Sequence, residues 1–116
     1  MNMPALKGDD YTIQYNLESR VITFEGELAL CEFQDCQPII DFLNHILESG
    51  LEKITLDVRG LHFLNVSGIT MLSQFVMSCQ SKTWLNLVIL GNQEVFWQDK
   101  SLNKFQKLLS DLEIIW

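Results

Sequence analysis

Hydrophobic positions along this chain switch repeatedly between a period of two and a period of 3.6, the pattern of mixed α and β structure. Ile13, Tyr15 and Leu17 alternate with polar residues and predict a half-buried strand. Glu18-Ser19-Arg20 reads as a short polar turn, and Val21–Leu28 as the hairpin partner. Asp35 is placed to cap a first helix, with Pro38 in the first turn, where its missing N–H does no harm. Ile39, Ile40, Leu43, Ile46 and Leu47 form the apolar stripe of that helix, and Gly50 stops it.

Residues 53–58 alternate again, with Ile54, Leu56 and Val58 on one face. A turn-like stretch around Arg59-Gly60 leads through 61–66 to Ser67-Gly68, after which Ile69, Leu72, Phe75, Val76 and Cys79 recur at helical spacing. The short, branched run at 85–90 predicts a buried strand. Asp99 or Ser101 can cap a third helix with the stripe Leu102, Phe105, Leu109 and Leu112, and 113–116 predicts a terminal edge strand. Gly8-Asp9-Asp10 cannot pack a core, so residues 1–10 are expected to form a loose lead-in. The remainder, 11–116, is expected to be a single α/β domain of order β-β-α-β-α-β-α-β, a mixed sheet covered by helices.

Length agrees, because 116 residues allow one domain with a core large enough to need no metal or disulfide staple. Fifteen acidic residues against eight basic ones give a net charge of −7. That balance argues against nucleic acid and anionic membrane as partners, since both want clustered Lys and Arg. The longest apolar run, 87–90, is far short of the roughly 20 residues a membrane span needs, and residues 1–7 contain no signal-peptide core. Three cysteines cannot all pair with one another, so a reduced, cytoplasmic protein is expected.

Candidate chemistry is sparse. Cys31, Cys36, His45, His62 and Cys79 form no CxxC or HxxxH pair, so neither a metal site nor a cofactor is expected. His62 lies five residues before Ser67, yet nothing local orients it as a base, and it reads as a surface histidine. Glycine-rich phosphate loops are absent, and no enzymatic activity is expected. Trp84, Trp97 and Trp116 could be core or interface residues, with at least one expected in the core. What remains is the run 64–69, where a strand passes into a helix. Asn65 or Ser67 can cap that helix, whose N-terminus favours anions through its unpaired N–H groups.

Two stretches resemble the STAS domain, the fold of bacterial anti-sigma factor antagonists. Phe24-Glu25-Gly26-Glu27-Leu28-Ala29 matches the family's V-x-G-E-L-D near the second strand. The run from Leu56-Asp57-Val58 through Leu64-Asn65-Val66-Ser67-Gly68-Ile69 to Leu72 matches L-D-L-S-x-V-x-F-I-D-S-S-G-L-x-x-L. The resemblance covers roughly residues 11–116. It implies that Ser67 is phosphorylated by a partner anti-sigma factor with serine kinase activity, and that a phosphatase reverses the step. The unphosphorylated form would bind the kinase, and the phosphorylated form would not. Partner contact is expected at Asn65, Val66, Ser67, Gly68, Thr70, Met71 and Gln74. Two acidic positions of the family pattern are Asn65 and Ala29 here, which leaves more room for a phosphate beside Ser67. An alternative from another class is a STAS-like module that binds a small ligand or nucleotide at the same helix terminus, and a third is a small hydrolase using Ser67.

Overall fold

The structure, a computed structural model, describes residues 5–29, 33–82 and 84–116. Six strands form one sheet in sequence order: β1 (Ala5–Lys7), β2 (Tyr11–Asn16), β3 (Val21–Leu28), β4 (Lys53–Leu64), β5 (Asn86–Leu90) and β6 (Glu113–Ile115). The first three are antiparallel, and β3 to β6 pair in parallel. The helices α1 (Gln37–Leu47), α2 (Val66–Gln80) and α3 (Gln98–Leu108) are the three parallel crossovers. Each crossover moves the chain one strand in the same direction. Right-handed connections then put all three helices on one face of the sheet.

That arrangement explains the burial pattern. Ile13, Tyr15, Ile22, Phe24, Ile54, Leu56, Leu87 and Ile89 point into the helical layer and are buried. Gln14, Glu25 and Arg59 project from the other face and are exposed, as expected for a sheet covered on one side. The expected stripes meet the strands through Ile39, Leu43, Ile46 and Leu47 of α1, Leu72, Phe75, Val76 and Cys79 of α2, and Leu102 and Phe105 of α3.

Four expectations need correction. Part of the supposed lead-in, Ala5–Lys7, is a strand paired with Thr12, Ile13 and Gln14, because β2 offers an open antiparallel edge. No turn forms at Arg59-Gly60, since β4 runs on to Leu64. Its register against β3 slips twice, from Thr23↔Asp57 to Glu25↔Gly60 and from Gly26↔Leu61 to Glu27↔Phe63. Each slip adds one residue to β4, and these bulges absorb the residues that resemble a turn. Asp35 lies in a short 3₁₀ turn (Phe33–Cys36) instead of capping α1, whose N-cap is Cys36 without a side-chain bond. Nor does Asp99 or Ser101 cap α3: its N-cap is Trp97, again without a side-chain bond, and the helix ends before Leu109 and Leu112.

The bulged end of β4 is held from above. β5 accompanies β4 only from Lys53 to Asp57, so the carbonyls beyond lack strand partners on that side. Gln98 Nε2 donates to the Val58 and Leu61 carbonyls at 2.6 and 3.2 Å, and Trp97 Nε1 donates to Leu61 O at 2.8 Å. Gln98 Oε1 in turn accepts from the Asn92 N–H at 2.8 Å. The segment before α3 is thereby fastened to the strand that feeds α2. Gly26 serves the other side of this end: it has φ +97°, and a Cβ there would collide with the Asp10 carbonyl.

Candidate functional site

Asn65 terminates β4 and starts α2. Its backbone N–H donates to Leu28 O at 3.2 Å, and its side-chain Oδ1 accepts from the Gly68 N–H at 3.1 Å. Asn65 is therefore the N-cap, and Ser67 occupies the second helical position. The first N–H groups of a helix have no intrahelical partner, and Asn65 Oδ1 satisfies that of Gly68. Ser67 is half-buried at this positive end of the helix dipole. Behind it, Cys36 Sγ lies 3.9 Å from the Ser67 carbonyl, which packs the 3₁₀ turn against the start of α2.

The expected contact set divides by face. Val66 is 79% exposed, Thr70 and Gln74 are exposed, and Asn65 and Ser67 are partly so. Gly68 and Met71, by contrast, are buried. Met71 is 1% exposed because it points with Leu72 toward the helical core. Gly68 is buried where a Cβ would collide with Leu64 Cδ1, so its role is to let α2 approach β4.

Other residues join the site that sequence patterning did not flag. Phe63 is 46% exposed and Phe96 is 99% exposed, whereas Trp97 beside it is buried. One cleft of about 440 Å³ lies between β4 and α3, with Phe63, Ile69, Phe96 and Lys100 among its walls. A second, also about 440 Å³, runs between α2 and α3 past Val66, Thr70, Lys104 and Leu108. The two share Ile69 and Ser101, so they form one groove leading away from the N-terminus of α2. Lys100 and Lys104 line it, one turn apart, and among the described residues no carboxylate does, in a chain of net charge −7. An apolar groove with cationic walls suits a protein segment with apolar and acidic side chains.

Nucleophilic and metal chemistry find little footing here. Burial pushes the Cys79 thiol up to about 12, and burial with the nearby Asp35 charge raises that of Cys36, so both thiols are poor nucleophiles. Among the described residues no group of three His, Cys, Asp or Glu side chains is placed to hold a metal ion. Cys31 lies outside the described residues. His62 is exposed on β4 and lines the outer cleft. Of the tryptophans, Trp97 belongs to the core, and Trp84 and Trp116 are largely exposed. Among the described residues no helix is long and apolar enough to cross a membrane.

No protein-family model and no curated protein sequence matches the chain. Solved structures do. SiaC of Pseudomonas aeruginosa superposes with a TM-score of 0.74 at 15% identity, covering 100% of this chain and 98% of that one. The match to the crystal structure of the Pseudomonas aeruginosa diguanylate cyclase SiaD in complex with its activator SiaC gives 0.73 at 16% identity, over 97% and 98% of the chains. An anti-sigma factor antagonist from Mycobacterium paratuberculosis gives 0.55 at 12% identity, over 97% of this chain and 84% of that one. Six strands, three helices on one face and these superpositions together give the chain a divergent STAS-like fold.

Proposed function

We propose that the chain is a regulatory protein-interaction module whose hold on a protein partner is switched by reversible phosphorylation of Ser67. The observation that carries this reading is the juxtaposition at the start of α2. A serine at the second helical position follows the exposed Val66, and the groove that passes Val66 carries the exposed Phe63 and Phe96 on its walls. Phosphorylation adds about −1.5 to −2 charges. The helix N-terminus accommodates that charge with a stabilisation of about 0.3–1 kcal/mol. The fold therefore stays intact, and the change falls on the partner, whose surface fitted to a bare hydroxyl meets a dianion. Contact is made by Asn65, Val66, Ser67, Thr70 and Gln74, extended by Phe63 and Phe96. The chain itself performs no catalysis in this scheme.

The modifying enzyme and first partner is a serine kinase of the anti-sigma factor kind, acting in the cytoplasm, with a phosphatase restoring the hydroxyl. The structural likeness to an anti-sigma factor antagonist supports that assignment. The higher TM-score to SiaC favours a second reading of the regulated partner, a diguanylate cyclase bound by the unmodified chain. Incubation with a candidate kinase and ATP, followed by mass spectrometry, tests the modification: phosphate is expected at Ser67, and phosphate only at another residue contradicts the scheme. A photo-crosslinking residue at Phe63 tests the contact. It is expected to capture the same protein with wild-type and Ser67→Ala chains and to lose it with Ser67→Glu.

A further inference from the structure

At one edge of the helical layer, residues of the β2–β3 hairpin and of α1 lie across from each other. A cleft of about 270 Å³ opens there, far along the chain from the start of α2. Its walls are apolar: Tyr15 and Leu17 from the β2 side, Phe42 and Ile46 from α1, and Leu51 from the segment that follows. Arg20 and His45 bring polar groups to its lining, and among the described residues no carboxylate does. Ser49, the remaining polar lining residue, has its hydroxyl committed to the Ile46 carbonyl. In a chain with fifteen acids and eight bases, this selection of charge is against composition.

Arg20 carries a second signal. It is the one non-glycine with positive φ among the described residues, at +59°. An L-residue there suffers a clash between its Cβ and the carbonyl that glycine avoids. The turn that imposes it is well determined. Arg20 N–H donates to Asn16 O at 2.8 Å, its carbonyl accepts from Thr55 N–H at 3.1 Å, and Asn16 Oδ1 accepts from the Glu18 and Ser19 N–H groups. Glycine would satisfy every one of those backbone bonds. Arg20 lines the cleft beside Tyr15, Leu17 and His45. It has no ion pair among the described residues, where the one salt bridge joins Arg59 to Asp57.

We infer that this cleft binds a small amphipathic carboxylate, a medium-chain fatty acid, with the chain between Leu17, Phe42, Ile46 and Leu51 and the carboxylate on Arg20 and His45. Octanoate, with eight carbons, is a probe of this class. Arginine is the side chain suited to the head group, because its planar fork binds a carboxylate through two hydrogen bonds. This site is independent of the Ser67 switch.

Octanoate titrated into the ¹⁵N-labelled full chain, followed by amide NMR shifts, tests the assignment. Saturable shifts at Tyr15, Leu17, Phe42, Ile46 and Leu51 are expected, with a Kd below about 1 mM. Octan-1-ol and octyltrimethylammonium, which keep the tail and lose the carboxylate, are expected to bind at least tenfold more weakly. Arg20→Gly is the decisive variant, since glycine is at ease at this φ: folding is kept and octanoate affinity falls at least tenfold. His45→Gln, which alters the second polar lining group without touching the turn, is expected to weaken binding as well. Shifts mapping to the α2–α3 groove, equal affinity for octanol, or unchanged affinity in a folded Arg20→Gly chain would each overturn the proposal.

Discussion

Phe96 and the pair Trp97-Gln98 are neighbours in sequence and opposites in role. Trp97 and Gln98 are buried, and between them they supply the Val58 and Leu61 carbonyls with their donors. Phe96 touches solvent over nearly its whole surface. A large apolar side chain held in water by two anchored neighbours is not a folding residue. The contrast separates what shapes the groove from what is offered at its mouth. Changes on the anchored side are expected in stability, and changes on the offered side in binding.

The largest expected effect lies deepest on the anchored side. Leu72→Ala removes a fully buried side chain of α2 and is expected to cost about 2–5 kcal/mol in urea unfolding. Thr70→Ala, one face away and exposed, is expected to change stability by less than about 0.5 kcal/mol. Comparable losses for the two would invert the assignment of the faces of α2.

Gln98→Ala comes next. It leaves the Val58 carbonyl without its donor in a buried setting, at a cost of about 1–3 kcal/mol. The same change is expected to loosen the segment before α3, visible as faster amide exchange at Asn92, whose N–H donates to Gln98 Oε1. Asn65→Ala removes the cap of α2 and is expected to cost about 1 kcal/mol.

How much of this was legible beforehand differs along the chain for physical reasons. The β2–β3 hairpin and the stripes of α1 and α2 follow from local periodicity, which one face of a strand or helix imposes directly. Asn65 as cap and Ser67 just inside the helix were readable for the same reason. β4 was cut short because its buried positions run 54, 56, 58 and then 61 and 64, a phase slip that two bulges create and a strict period of two cannot follow. β1 was missed because three residues carry no period, and only pairing with Thr12, Ile13 and Gln14 makes them a strand. The start of α3 depends on bonds from Trp97 and Gln98 to residues 36 to 40 positions away.

Smaller effects are expected on the polar face of the sheet. Hydrogen bonds from the Arg59 guanidinium and backbone hold the Asp57 carboxyl below its usual range, against a smaller opposing push from burial. A depressed carboxylate pKa stabilises the fold above the unfolded value of about 3.9, and that contribution is lost as pH falls through the lower folded value. Arg59 is largely exposed, so Asp57→Asn is expected to cost about 0.2–1 kcal/mol at neutral pH and nothing once the wild-type carboxyl is protonated. Unfolding midpoints of the two chains at neutral and acid pH check the convergence. Phe96→Ser is expected to have the least effect on stability, within about 0.5 kcal/mol, because water already surrounds the ring.

The affinity of the captured partner for Ser67→Ala and Ser67→Glu chains, measured side by side by calorimetry, tests the switch most directly. Both variants are expected to fold with wild-type unfolding transitions. The Ala chain is expected to bind as the unmodified protein does. The Glu chain is expected to lose about 2 kcal/mol or more, roughly thirtyfold in Kd, as befits a residue at the centre of an interface. Equal affinities of two folded chains would contradict a switch at Ser67.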